Sequence, residues 1–419
     1  MRANNPPKTF ALVTAAALGL VCQAAAAGEP WPEFLGPRGD GQTRTADIPL
    51  TWSETKNVRW KTAIHDRGHS SPVVCDNQVW LTTATKDGFH LFAVCVDLDS
   101  GRVLHDLRLF DVEKPEFVHD LNTYASPTPA VEAGRVYVHF GTYGTACLDT
   151  ATGKTLWARR DLHCNHFRGP GSSPFLAGEL LILVFDGFDV QYLVALDKQT
   201  GKTVWKTDRS TDFGKLDGDL RKAYSTPILI EAAGRRQLVC TGAFAGMAYD
   251  PKTGEELWKV RYPGGYSNVS RPLFGQGCVF LNTGYGKPEL WAVRPDGHGD
   301  ITPHVLWKYK KGVPGRSSSV LVDDRIFFVS DGGIATCLEA KTGTPLWQER
   351  VGGQFSASLL ASPGRVYFFD HDGKTTVVAD GRKFEVLATN KLDAGFMASP
   401  AVIDRSLVLR TKTHLYRVE

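Results

Sequence analysis

The sequence predicts an all-β chain, an eight-bladed β-propeller of four-stranded antiparallel blades, its ring closed by the N-terminal strand pairing into the last blade. Three observations predict it. A turn-and-tryptophan segment recurs along the chain, a short Ser/Pro opening recurs with it, and Gly-containing turns separate the short apolar runs between them. A strand-built period of tens of residues is the mark of a propeller or a solenoid.

The first repeat element is seen in "DTATGKTLW" (Asp149–Trp157). "DLDSGRVLH" (Asp97–His105), "DKQTGKTVW" (Asp197–Trp205), "DPKTGEELW" (Asp250–Trp258) and "EAKTGTPLW" (Glu339–Trp347) share its layout. "RPDGHGDITPHVLW" (Arg294–Trp307) is a copy with an insertion, and "NVRWKTA" (Asn57–Ala63) keeps only the tryptophan end. The Trp-equivalent positions fall at 60, 105 (a histidine), 157, 205, 258, 307 and 347, with a degenerate one near Leu387, at spacings of 40 to 53 residues. In each copy the Asp accepts bonds from the turn N–H groups, and the Gly takes the left-handed position. The indole is a large apolar plate. A catalytic group does not recur in nearly every repeat, so Trp60, Trp157, Trp205, Trp258, Trp307 and Trp347 read as structural packing between blades.

The second element opens each unit. "SSP" (Ser70–Pro72), "ASP" (Ala125–Pro127), "SSP" (Ser172–Pro174), "STP" (Ser225–Pro227), "SRP" (Ser270–Pro272), "SSS" (Ser317–Ser319), "SAS" (Ser356–Ser358) and "ASP" (Ala398–Pro400) each precede a short apolar strand. A second strand follows, as in "RVYVHF" (Arg135–Phe140). The third element is then a tight Gly turn such as Asp331-Gly332, suited to a hairpin. A third strand leads into the Asp-x-x-Thr-Gly turn, and a fourth ends near the Trp. The last unit (Ala398–Glu419) stops after three strands. "NVRWKTA" supplies the missing fourth, and closure of the ring removes free sheet edges.

The flanks bound location and partners. Arg2 and Lys8, the apolar run Phe10–Val21 and the small-residue run Ala24–Gly28 read as a secretory signal cut near Ala27. The organisation is a signal peptide at 1–27, an N-terminal lead-in at 28–56 and a propeller at 57–419. Val21 stands where a lipobox wants a small residue, which argues against a lipid anchor at Cys22. The expected location is periplasmic or secreted. Without the signal, 46 basic residues face 45 acidic ones, so nothing in the global charge favours nucleic acid. No later segment reads as transmembrane, and a monomer is expected.

Cys95, Cys147 and Cys337 fall two residues before the turn acid, a slot filled by Ala195, Ala248 and Ala292 in other copies. They read as small buried hydrophobes that leave room for an indole. Cys75, Cys164, Cys240 and Cys278 are scattered and do not read as a disulfide framework. A single Cys75–Cys95 bridge is left open.

These repeats resemble the PQQ-like β-propeller family, whose pattern is Ala-x-Asp-x-x-Thr-Gly-x-x-x-Trp with tryptophans docking between blades. The resemblance covers residues 57–419, and "WPEFLGPRGDG" (Trp31–Gly41) resembles the lead-in of its exported members. It implies one of two branches, the quinoprotein dehydrogenases or a non-enzymatic branch resembling BamB. The dehydrogenases carry an adjacent Cys-Cys pair under the quinone and an acid-rich calcium set. No two cysteines are adjacent here, and no C-x-x-C-H haem signal occurs. The resemblance therefore implies no cofactor, with PQQ and calcium as the alternative.

The fourth-to-first-strand loops place His69, Tyr124, Arg168, Tyr224, Arg271 and Arg316 around one channel mouth, as ligand or partner candidates. The Asp-x-x-Thr-Gly turns fall on the opposite face. "HCNH" (His163–His166) is too compact for a tetrahedral metal site. "DHDGK" (Asp370–Lys374) lacks the later bidentate acid of a calcium loop, and "PDGHGD" (Pro295–Asp300) reads as a turn insertion. No catalytic or metal residue is assigned. The leading expectation is an exported, non-enzymatic scaffold or ligand-binding module in the cell envelope. Its partner is an envelope or secreted protein, or a small ligand at the mouth. The alternatives are a periplasmic quinoprotein-like oxidoreductase with a divergent site and an extracellular carbohydrate-binding module.

Overall fold

The computed structural model describes Met1 and residues 29–419. The signal peptide and the lipid-anchor reading of Cys22 lie outside the described residues. Eight antiparallel sheets make up the fold, with no α-helix among the described residues. We number the blades along the chain. Blade 1 runs from Val73 to Asp111, and blade 8 comprises Ala401–Ile403, Ser406–Arg410, His414–Val418 and the N-terminal strand Val58–Ala63. That strand closes the ring through the register Trp60↔Arg417, Lys61↔Tyr416 and Thr62↔Leu415.

The repeated tryptophan is the joint between blades. Its indole N–H donates to the carbonyl that follows the turn acid of the next blade. Trp60 bonds Leu98 (2.8 Å), Trp157 bonds Lys198 (3.0 Å), Trp205 bonds Pro251 (3.2 Å), Trp307 bonds Ala340 (3.0 Å) and Trp347 bonds Gly381 (3.2 Å). The turn itself is held as its sequence suggests. Asp149 Oδ1 accepts from the Thr152 N–H (2.8 Å) and hydroxyl (2.7 Å), and Gly153 sits at φ +70°.

Directly across from each indole lies the small slot of the third strand: Cys147↔Trp157, Ala195↔Trp205 and Cys337↔Trp347. A bulge follows at once, which re-aims the Trp and leaves the residue before it outside. Leu156, Val204 and Leu306 are exposed for that reason.

Turn glycines have a second duty that the sequence did not reveal. A Cβ on Gly201 would lie 2.7 Å from the Trp157 ring, and Gly254 and Gly343 meet Trp205 and Trp307 in the same way. Gly201→Ala is therefore expected to destabilise the fold by about 1–3 kcal/mol through overpacking at a positive φ. A double-mutant cycle with Trp157→Ala checks this, because the overpacking part should vanish once the indole is gone.

Four sequence readings change. Trp258 is fully buried at the interface between blades 4 and 5, but its N–H bonds Gln237 of its own blade (2.5 Å). The insertion after blade 5's third strand supplies the reason: Gly299–Asp300 adds a parallel fifth strand beside Trp258 and Lys259, so no ordinary turn is there to receive the indole. Two openings shift: in blade 2 it is Thr128-Pro129, two residues later than "ASP", because its inner strand begins at Ala130, and in blade 7 it is Ala357–Leu359, one residue later than "SAS", because that strand begins at Leu360. The degenerate Trp position is Ala388, opposite Val377. All seven cysteines among the described residues are free, so Cys75 and Cys95 are not bridged.

The lead-in crosses the channel rather than hanging from it. Trp31 pairs with Val74 of blade 1 in both directions (2.9 and 2.8 Å), and the Val131 N–H of blade 2 donates to the Pro32 carbonyl (2.8 Å). Gly41 and Thr43 pair with Ala361 of blade 7 (2.9 Å each). Between these anchors the chain spans the axis near the lower ends of the inner strands, on the side of the Asp-x-x-Thr-Gly turns.

Candidate functional site

That crossing turns the channel into a blind funnel. A cavity of about 490 Å³ opens at the mouth, and Phe34 of the lead-in lines it. Arg271 fixes this plug. Its guanidinium donates to the Phe34 carbonyl, to Glu33 (2.9 Å) and to the Pro227 carbonyl (3.0 Å). Burial pushes the Glu33 carboxyl up, and the Arg271 charge works against that rise.

Around the floor runs a hydrogen-bonded ring built from the residue two places before each inner strand, which in blade 7 is Ser358, the last residue of "SAS". The Ser71 N–H donates to Thr128 Oγ1 (2.9 Å), Thr128 to Ser173 (3.0 Å) and Ser173 to Thr226 (3.0 Å). Arg271 carries no hydroxyl and interrupts the ring, but its N–H continues it to Ser318 (3.0 Å). The ring then passes to Ser358 (3.0 Å), Ser399 (2.9 Å) and back to Ser71 (3.0 Å). The repeated Ser/Thr of the openings thus stitches each inner strand to the next.

Four of the six candidates, His69, Arg168, Tyr224 and Arg316, line the cavity. The other two do not. Arg271 is buried as the clamp on the lead-in, and Tyr124 lies in a smaller neighbouring recess, where its hydroxyl donates to the Glu116 carbonyl (2.6 Å). The cavity acids are engaged. Asp219 takes two bonds from Arg168 (2.9 and 3.1 Å) and another from the buried Lys222, which hold its pKa at about 2. Asp331 accepts from Arg316 (3.0 Å) and from the Gly315 N–H (3.0 Å). Tyr266 and Tyr285 meet edge to face at 5.8 Å on the rim.

His371 bonds Ser356 at 2.8 Å on the cavity wall, which is the spacing of a nucleophile and its base. However, no carboxylate among the described residues bonds the other ring nitrogen. Burial, with Arg316 and Lys412 nearby, lowers the His371 pKa to about 4, so it is a weak base. Burial and the cations Arg410 and Arg67 likewise keep His69 neutral, at about 3. The arrangement suits binding better than proton transfer. Among the described residues, no three His, Cys, Asp or Glu side chains converge as metal ligands. With Asp219 and Asp331 engaged by cations, the cavity residues do not fit a quinone held by calcium.

A family model described as outer membrane protein assembly factor BamB matches residues 92–298 and 289–387. The chain belongs to that family. No curated protein matches the sequence. Among solved structures, BamB from Moraxella catarrhalis is 12% identical with a TM-score of 0.61, covering 86% of this chain and 99% of that one. The quinohemoprotein alcohol dehydrogenase ADHIIG from Pseudomonas putida HK5 is 12% identical with a TM-score of 0.65, covering 93% and 80%. The computationally designed Ika8 protein is 13% identical with a TM-score of 0.61, covering 85% and 97%. At such identities these structures share the fold alone. The BamB family assignment rests on the family model.

Tyr124 and Arg271 were chosen because they sit in or beside opening motifs. Only the folded ring shows which of those residues face the axis. The sequence assigns no site role to Asp219, to Thr128, to Phe34 within "WPEFLGPRGDG" or to His371 within "DHDGK". The Ser/Thr recurrence was the available signal for Thr128, and nothing local marks Phe34 as a floor.

Proposed function

We propose that the protein is an exported, non-enzymatic propeller that binds a small ligand in its mouth cavity. The observation that carries this reading is the blind cavity itself. Its volume falls in the usual range for small-molecule sites, and a plug closes its floor. Cleavage after Ala27, a periplasmic or secreted location without lipid on Cys22, and a monomeric state complete the proposal. No helix among the described residues is long and apolar enough to cross a membrane.

A protein partner at the mouth is the second reading. Phe117 (65% exposed) and Tyr285 (61% exposed) stand on mouth loops with Leu121, and large exposed apolar groups favour docking. The family's description as an assembly factor agrees with it.

Thermal-shift screening of small acids, sugars and PQQ with calcium separates these readings. A compound that raises the Tm of the wild type but not of Tyr224→Ala supports the cavity. No shift with any compound, together with an envelope protein captured by the wild type and lost on Phe117→Asp, would replace the ligand reading with the partner reading.

A further inference from the structure

We infer that the hydroxyl ring on the cavity floor is a donor-rich seat for the oxyanion end of a small organic acid. This rests on the ligand-binding reading above and names the chemistry of the ligand. Each of the seven ring hydroxyls already accepts a backbone N–H from the neighbouring blade. A hydroxyl has one hydrogen to give, and none of the seven donates to a protein acceptor among the described residues. Six of the seven line the cavity, so their free O–H donors have the cavity as their outlet. A floor of this kind asks for an acceptor-rich group.

The strong acceptors that a sugar would use for its own hydroxyl hydrogens are engaged, because the two lining carboxylates are tied to Arg168, Lys222 and Arg316. Charge points the same way. Arg410 is buried directly behind the ring, and its bonds go only to neutral oxygens, Ser70 O (2.9 Å), Ser70 Oγ (2.6 Å) and Thr82 O (3.0 Å). Among the described residues no carboxylate answers it. A buried cation without a counter-ion is costly, and an anion on the adjacent floor would relieve it. Above the floor, Met397, Leu121 and the Tyr224, Tyr266 and Tyr285 rings line the upper cavity. They supply contact for an aromatic or apolar body, so the ligand class is a small aromatic carboxylate seated carboxylate-down.

Isothermal titration with benzoate, benzamide and glucose tests this. Benzoate is expected to bind saturably and about tenfold or more tighter than benzamide, the scale of a hydrogen bond to a charged group. Ser358→Ala should weaken benzoate about tenfold, whereas Ser358→Thr, which keeps the hydroxyl, should restore it. Circular dichroism of both variants establishes that they fold. Benzoate binding that Ser358→Ala leaves unchanged would overturn the seat. Benzamide or glucose binding as tightly as benzoate, and weakened by Tyr224→Ala, would overturn the seat while the cavity reading stands. Failure of all three probes to bind the folded wild type, with no hit in the thermal-shift screen, would overturn both.

Discussion

Asp186→Ala is expected to destabilise the protein by about 3–5 kcal/mol, because it leaves a buried arginine without its counter-ion. Asp186 ends the second strand of blade 3, and Arg209 follows that blade's last strand. The two form a fork-to-fork pair at 2.5 and 2.6 Å with both side chains almost wholly shielded from water. Arg209 also reaches Cys240 Sγ (3.0 Å) in blade 4. The pair therefore sits under the start of the mouth loop that carries Asp219, Lys222 and Tyr224, and its loss should loosen the cavity wall as well as the fold. Denaturant unfolding measures the cost. Asp186→Leu with Arg209→Met should recover most of it, since an apolar pair of similar volume carries no desolvation penalty. A loss under about 1 kcal/mol for Asp186→Ala would show that water or another group solvates the guanidinium.

Acid should unfold the protein through four histidines with lowered folded pKa values, His69 and His371 at the cavity and two more in the core. His139 and His166 are shielded on either side of the Phe185 ring, and burial lowers their pKa values to about 3 and about 4. His166 Nε2 accepts from the Thr142 N–H (3.1 Å), a bond that needs the unprotonated nitrogen, and His139 Nδ1 pairs with Thr145 Oγ1 (2.8 Å). An unfolded histidine takes up its proton near pH 6.5, as an approximate reference value. Between that pH and the folded values the unfolded chain binds more protons, so stability falls as pH falls. The loss starts below about pH 6.5 and ends for each ring at its folded value. Four protons give a slope of about 5 kcal/mol per pH unit. Unfolding free energies measured from neutral pH down to about pH 4.5 should show it, and His139→Leu should remove about a quarter of the slope. An unchanged slope in that variant would mean that the folded protein protonates the ring without cost.

Much of the architecture was legible because it repeats. Trp157, Gly153 and Cys147 make sense only beside their copies, and the register Cys147↔Trp157 puts the small slot where the repeat placed it. Ring closure was legible because a missing strand at one end had a counterpart at the other. The exceptions came where one repeat lacks its neighbour's usual partner, as at Trp258.

The candidate site was less legible. The loops of the mouth were identified, but Tyr124 and Arg271 show that position in a loop does not say which way a side chain turns. Arg271 looked like a funnel cation and is the clamp that holds Phe34 across the axis.

By itself, the sequence determined the blade count, the turn chemistry, the interblade plates and the strand that closes the ring. These are local patterns, set by residues a few positions apart and copied along the chain. Only the tertiary structure decided that the channel is blind, that its floor is a ring of hydroxyls and that Arg410 stands behind it without a carboxylate. Those features join residues from different blades, and Phe34 meets Arg271 across more than two hundred positions. Local sequence cannot specify such meetings, because they arise when the ring closes and brings eight inner strands around one axis.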